Sequence, residues 1–213
     1  MPASTPIVQL AVFGDDQAMG IGYTSMGMAQ PITPNAPAAL QALLQKQLSD
    51  TGIQVSDLAT GGRASSLANL LDGMDGGGAP FAQRLTANPA SIVVISYAIN
   101  DQYGGETPSD FGGYLTQAIQ TAQSAGRTVV LEEPSPTCDT DHPRLADYSS
   151  AIDAAGKALG VPVIQQFAFV SSIQGWQAHM DASCTVPDAY IDAIKAQQEL
   201  AVIAPLVRNL IKG

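Results

Sequence analysis

The stretch "AVFGDDQAMGIG", residues 11–22, joins an apolar run to glycine-rich chain through two adjacent aspartates. With the residues before it, "IVQLAVF" (7–13) reads as a strand covered on both faces, because most positions are apolar and several are β-branched. Four further segments have the same character: "IQVSDLA" (53–59), "SIVVISY" (91–97), "TVVLEE" (128–133) and "VPVIQQF" (161–167). Helical patterns separate them. Residues 36–49 place Leu40, Leu43, Leu44 and Leu48 on one stripe at spacings of three and four. Residues 108–125 do the same with Phe111, Leu115, Ile119 and Ala122, and Gly126 follows as a stop signal. A third pattern covers 144–159 and closes at Gly160. The last helix is expected from about Pro187, a favoured first-turn residue, to about Ile211, with Pro205 kinking or interrupting it.

Strand and helix in alternation predict an α/β fold: a five-stranded parallel sheet with helices on both faces, in one domain over 1–213. In such sheets ligands bind at the carboxyl ends of the strands, where the strand order switches. Those ends carry "GDD" (14–16), "TGGR" (60–63), "AINDQY" (98–103), "PSPTC" (134–138) and the loop at about 171–187. The glycine-rich "DGMDGGGAP" (72–80) follows a helix rather than a strand and lacks phosphate-loop spacing, so it reads as a surface loop.

The whole chain narrows the function classes. Its 213 residues are 46% hydrophobic and 13% charged, which suits a globular core. A net charge of −10, with 9 Lys and Arg, argues against a nucleic-acid surface. No apolar run is long enough to span a bilayer, and no leader pattern is present. The opening Met-Pro-Ala-Ser-Thr-Pro reads equally well as a start residue placed on a trimmed secreted chain.

Taken in order, the strand ends resemble the SGNH (GDSL) hydrolase family of esterases and lipases. "VFGDDQAMGIG" is similar to that family's Gly-Asp-Ser-x-x-x-Gly block, "LATGGRASSLANLL" to its glycine block, and "IVVISYAIND" to its Gly-x-Asn-Asp block. "EEPSP" after the fourth strand also suits the family. The resemblance implies a three-layer, flavodoxin-like α/β/α fold, with Gly62 and Asn100 as oxyanion donors and no cofactor. It also exposes two departures. Asp16 stands where the family has its serine nucleophile, and Ala98 replaces a glycine.

The final Asp-x-x-His-Pro block departs further. Anchored on Pro187, "SCTVP" (183–187) puts Ser183 in place of the aspartate and Val186 in place of the histidine. Anchored on Asp181, "DASC" puts Cys184 in place of the histidine. Neither alignment supplies the imidazole that must deprotonate a serine hydroxyl. The chain has two histidines. His142 reads as a solvated or capping residue before a helix, and His179 as a solvent-facing loop residue. Neither has the spacing of a metal site.

Two functional expectations follow. In the first, the chain is a catalytically compromised member that keeps its oxyanion shell and binds an acylated or carbohydrate ligand, or a protein. In the second, it is a carboxylic ester hydrolase that uses Asp16 or another residue with His179 or His142. A hard-cation site built from Asp15, Asp16, Asn100 and Asp101 is a third arrangement, although the family's aspartate before the nucleophile points into the structure. A flavodoxin-like or Rossmann-type nucleotide site is opposed by two carboxylates where phosphate would sit. In the fold that the resemblance implies, Cys138 and Cys184 lie on loops that can meet, so a disulfide is expected, with buried or reactive thiols as the alternative. A disulfide would place the protein in the periplasm or outside the cell.

Overall fold

The computed structural model describes residues 8–212. Ile7, where the first strand was expected to begin, and the opening Met-Pro-Ala-Ser-Thr-Pro lie outside the described residues. In chain order the strands are β1 (Gln9–Gly14), β2 (Ile21–Tyr23), β3 (Ala29–Pro31), β4 (Gln54–Asp57), β5 (Ile92–Ser96), β6 (Thr128–Glu132) and β7 (Val163–Ile164). The α-helices are α1 (Asp16–Met19), α2 (Ala36–Leu48), α3 (Leu67–Asp72), α4 (Phe81–Ala87), α5 (Ile99–Tyr103), α6 (Pro108–Ser124), α7 (Leu145–Leu159), α8 (Gln166–Ser171) and α9 (Ala189–Lys212).

Five strands form a parallel sheet in the order β4-β1-β5-β6-β7. Leu10 sits between Val55 and Ile92, and Val12 between Asp57 and Val94. The buried runs in β1, β5 and β6 are apolar on consecutive positions because both faces are covered. Leu10, Val12 and Val94 pack with Leu40 and Leu44 of α2 and Ile203 and Val207 of α9. Phe13, Val93 and Ile95 pack on the other side with Phe81, Phe111, Ile119, Tyr148 and Ile152. The strand order reverses between β1 and β5, which makes their carboxyl ends the switch point where such folds hold ligands.

Gly14 closes that switch point. A Cβ there would lie 2.4 Å from Ala18 Cβ and 2.5 Å from the Ser96 carbonyl oxygen. Only glycine lets the end of β1 approach β5 so closely, and this presses α1 against the sheet edge.

Two expectations needed correction, and one element was not foreseen. The segment 161–167 supplies a two-residue strand only, because Gln166 already begins α8. Pro205 does not interrupt α9, which runs through it unbroken. Its ring costs the Ala201 carbonyl a helical partner, but both residues are exposed, so water can replace that bond. An antiparallel hairpin, β2 with β3, fills part of the stretch before α2 and had no strand signal in the sequence. The buried Asp75 pins loop 72–80, taking bonds from Arg84 Nη1 at 2.7 Å and Gly77 N at 3.0 Å.

Candidate functional site

The sharp turn at Gly14 sets Asp15 and Asp16 back to back. Asp15 caps α1, accepting from Gln17 N at 3.1 Å, and reaches across to Ala98 N at 3.0 Å and Ile99 N at 3.1 Å. It points into the structure and ties the ends of β1 and β5 together. Burial, and then the neighbouring Asp16, push its carboxyl up to about 7.

Asp16 faces the opposite way, onto the floor of an open cavity of about 370 Å³. Its Oδ1 accepts from the Tyr23 hydroxyl at 2.9 Å and from Gly62 N at 2.9 Å. Its Oδ2 accepts from Asn100 Nδ2 at 2.7 Å and from the same Gly62 N at 3.0 Å. Gly62 adopts φ +83°, which turns its N–H toward the site at no steric cost. Thus Gly62 and Asn100, expected to hold an oxyanion, hold the carboxylate of Asp16. Tyr23, from the hairpin, is a third donor that no motif in the sequence marked. Hydrogen bonding to Asp16 contributes, after burial, to raising the Tyr23 phenol to about 12.

Asp101, beside Asn100, does not share this cavity. It is buried and accepts from Leu67 N at 2.7 Å, which fixes the start of α3. The carboxylates of Asp15, Asp16 and Asp101 therefore serve three different donor sets. Among the described residues no group of three or more His, Cys, Asp or Glu is placed to hold a metal ion.

The GDSL-like Lipase/Acylhydrolase family matches residues 12–185, a span that includes Asp16, Gly62 and Asn100. The chain belongs to the GDSL-like lipase/acylhydrolase family. Its fold is also similar to that of TesA (22% identity, TM-score 0.64, covering 93% of this chain and 99% of that one). A lipase/acylhydrolase from Enterococcus faecalis is 17% identical, with a TM-score of 0.69 and coverage of 93% and 96%. An acetylxylan esterase from Geobacillus stearothermophilus, solved as a catalytic mutant, is 15% identical, with a TM-score of 0.71 and coverage of 92% and 94%. No curated protein sequence matches the chain.

In this GDSL-family member the last loop is organised by Asp181. The Asp181 carboxylate accepts from Thr185 N at 2.9 Å, Val186 N at 3.1 Å, Tyr23 N at 2.7 Å and Ser183 Oγ at 2.6 Å. Val186 is fully buried, whereas Ser183 and Thr185 line the cavity. Cys184 is bonded to Cys138, with their Cα atoms 5.2 Å apart, an ordinary spacing for a bridge. No imidazole is among the hydrogen-bond partners of Asp16.

Of the two histidines, His142 differs from expectation, whereas His179 keeps a partly exposed side chain. His142 is buried in the cavity wall rather than solvated: Nδ1 meets Asp139 Oδ2 at 2.7 Å and Nε2 meets the Ile99 carbonyl oxygen at 3.1 Å. With both ring nitrogens engaged, it braces the loop after β6 against the start of α5. His179 lies in a 3-10 turn (Trp176–His179), paired with Asp188 at 3.1 Å and stacked on Tyr190 at 4.3 Å. At the cavity rim, the Arg63 guanidinium sits 4.7 Å from the centre of the Tyr103 ring.

Proposed function

We propose that this GDSL-family chain, taken as one domain over 1–213, has lost ester hydrolysis and acts by binding. Its cavity takes a small acylated or carbohydrate ligand, or an exposed part of a partner protein. One observation carries this reading: the oxyanion donors Gly62 and Asn100 are spent on Asp16, and no imidazole is hydrogen-bonded to it. An incoming carbonyl would find the hole filled by a negative group, which opposes the charge that develops during acyl transfer. Asp16 is itself a poor nucleophile in this setting, since several donors draw on its electron pairs. An acyl-aspartate would also need a base-activated water, and His142 is committed on both nitrogens.

Ligand chemistry is suggested by the cavity lining. Tyr23 and Tyr103 offer aromatic faces, while Ser183, Thr185, Asp139 and Asp141 offer hydroxyls and carboxylates suited to a polyol. Likeness to an acetylxylan esterase makes acetylated xylo-oligosaccharides the first ligands to titrate. The Cys138–Cys184 bridge favours an oxidising compartment, so we place the protein in the periplasm or outside the cell.

The test is turnover of short-chain acyl esters. The wild type is expected to match buffer, and Asp16→Ser alone to gain little for want of a base. Asp16→Ser with Ser183→Asp and Val186→His is expected to exceed the single variant. Wild-type turnover that vanishes in Asp16→Ala would overturn the binding reading.

A further inference from the structure

The three donors around Asp16 are each positioned without its help. Tyr23 is anchored by its own backbone, N–H to Asp181 Oδ2 at 2.7 Å and carbonyl to Ala182 N at 3.1 Å. Asn100 sits in the first turn of α5, and Gly62 in a turn closed by Ser65 N at 2.8 Å. Their contacts divide over two oxygens. Tyr23 serves Oδ1, Asn100 serves Oδ2, and Gly62 N lies 2.9 and 3.0 Å from the pair. A hole for one tetrahedral oxyanion needs donors converging on a single oxygen. Here they straddle a flat O–C–O fork, and Tyr23 makes the difference.

We infer that Tyr23, Gly62 and Asn100 form a receptor for a small carboxylate, filled in this chain by the tethered side chain of Asp16. The corollary is that cutting back Asp16 leaves a site that takes free formate or acetate from solution. Access is available, because Asp16 and all three donors line the same open cavity. The inference shares with the proposed function the reading of Asp16 as an occupant, but it is tested without any ester.

The experiment is thermal unfolding of the wild type, Asp16→Ala and Asp16→Gly in sodium formate or acetate, against sodium chloride and acetamide at matched concentrations. Asp16→Ala is expected to melt below the wild type and to recover saturably with formate or acetate, but not with chloride or acetamide. The wild type should show no carboxylate-specific response. Adding Tyr23→Phe to Asp16→Ala should weaken the apparent carboxylate affinity about tenfold or more, the usual loss for one hydrogen bond to a charged group. Equal responses of Asp16→Ala to chloride and acetate would overturn the receptor, as would the same carboxylate response in the wild type. An affinity unchanged by Tyr23→Phe would remove Tyr23 from it. If neither Asp16 variant folds unaided, refolding yield in acetate against chloride reads the same equilibrium, and equal yields refute it. Ester turnover by the wild type would defeat the proposed function and leave the carboxylate result standing.

Discussion

The side-chain amide of Gln17 pairs with the backbone of Ser135 in both directions. Ser135 N donates to Gln17 Oε1 at 2.8 Å, and Gln17 Nε2 donates to the Ser135 carbonyl at 3.2 Å. The same Nε2 reaches the Thr185 carbonyl at 2.8 Å. One buried residue, next to Asp16, thus joins α1 to the loop after β6 and to the loop before α9.

Gln17→Ala should therefore be costly although it removes no apolar contact of note. It leaves the buried backbone groups of Ser135 and the half-buried Thr185 carbonyl without this partner, a loss of about 2–4 kcal/mol in total. Urea denaturation would measure it. A loss below about 1 kcal/mol would mean that water replaces the amide.

The disulfide makes the second link between those two loops. It spans 46 residues, for which the chain-entropy account gives about 4 kcal/mol. The Cys138→Ser, Cys184→Ser double variant should lose about that much. It should still fold, since Gln17 continues to hold Ser135 and Thr185, and Cys138 N still bonds the carbonyl of residue 184. Denaturation of the oxidised wild type and of the double variant, side by side, gives the difference.

A third prediction concerns pH. Behind the site, Glu132, Asp192, Lys195 and Glu199 are buried together, with Lys195 Nζ 3.9 Å from Glu132 Oε1 and both oxygens of Asp192 unbonded. Burial, then Glu132 and Asp188 against the opposing Lys195, leaves the Asp192 carboxyl at about 7. Burial raises Glu199 as well. Asp15, near Lys195, is also at about 7. A carboxyl raised in the folded state holds its proton there while the unfolded chain releases it. Its stabilising contribution is complete below about pH 4 and is lost as pH rises through about 7. The protein should accordingly be more stable at pH 5 than at pH 8. The ceiling is about 4 kcal/mol for each group shifted by about three units. Asp192→Asn should flatten the dependence. Stability that rises from pH 5 to pH 8, or an unchanged slope in the variant, would contradict the assignment.

Much of this molecule was legible in one dimension. The apolar runs at 9–13, 92–96 and 128–132 are strands because a sheet covered on both faces tolerates little else there, and periodicity marked α2, α6 and α7 within a residue or two. Short elements were not legible. The β2–β3 hairpin and α5 are too brief for periodicity to show, and they are held by long-range contacts such as Tyr23 with Asp181 and Asp15 with Ile99. His142 was misjudged for a similar reason. Asp139 is three residues away, but nothing near His142 in sequence reveals that the Ile99 carbonyl meets its other ring nitrogen.

By itself the sequence determined the layered parallel sheet and the family resemblance, since those depend on residue type and spacing. Only the tertiary structure decided where the Asp16 carboxylate goes. Its direction depends on donors from three separate segments, Tyr23, Gly62 and Asn100, which meet once the strand order reverses between β1 and β5. A carboxylate buried at that point must take the donors it finds, because an unpaired one would cost far more than the bonds it makes.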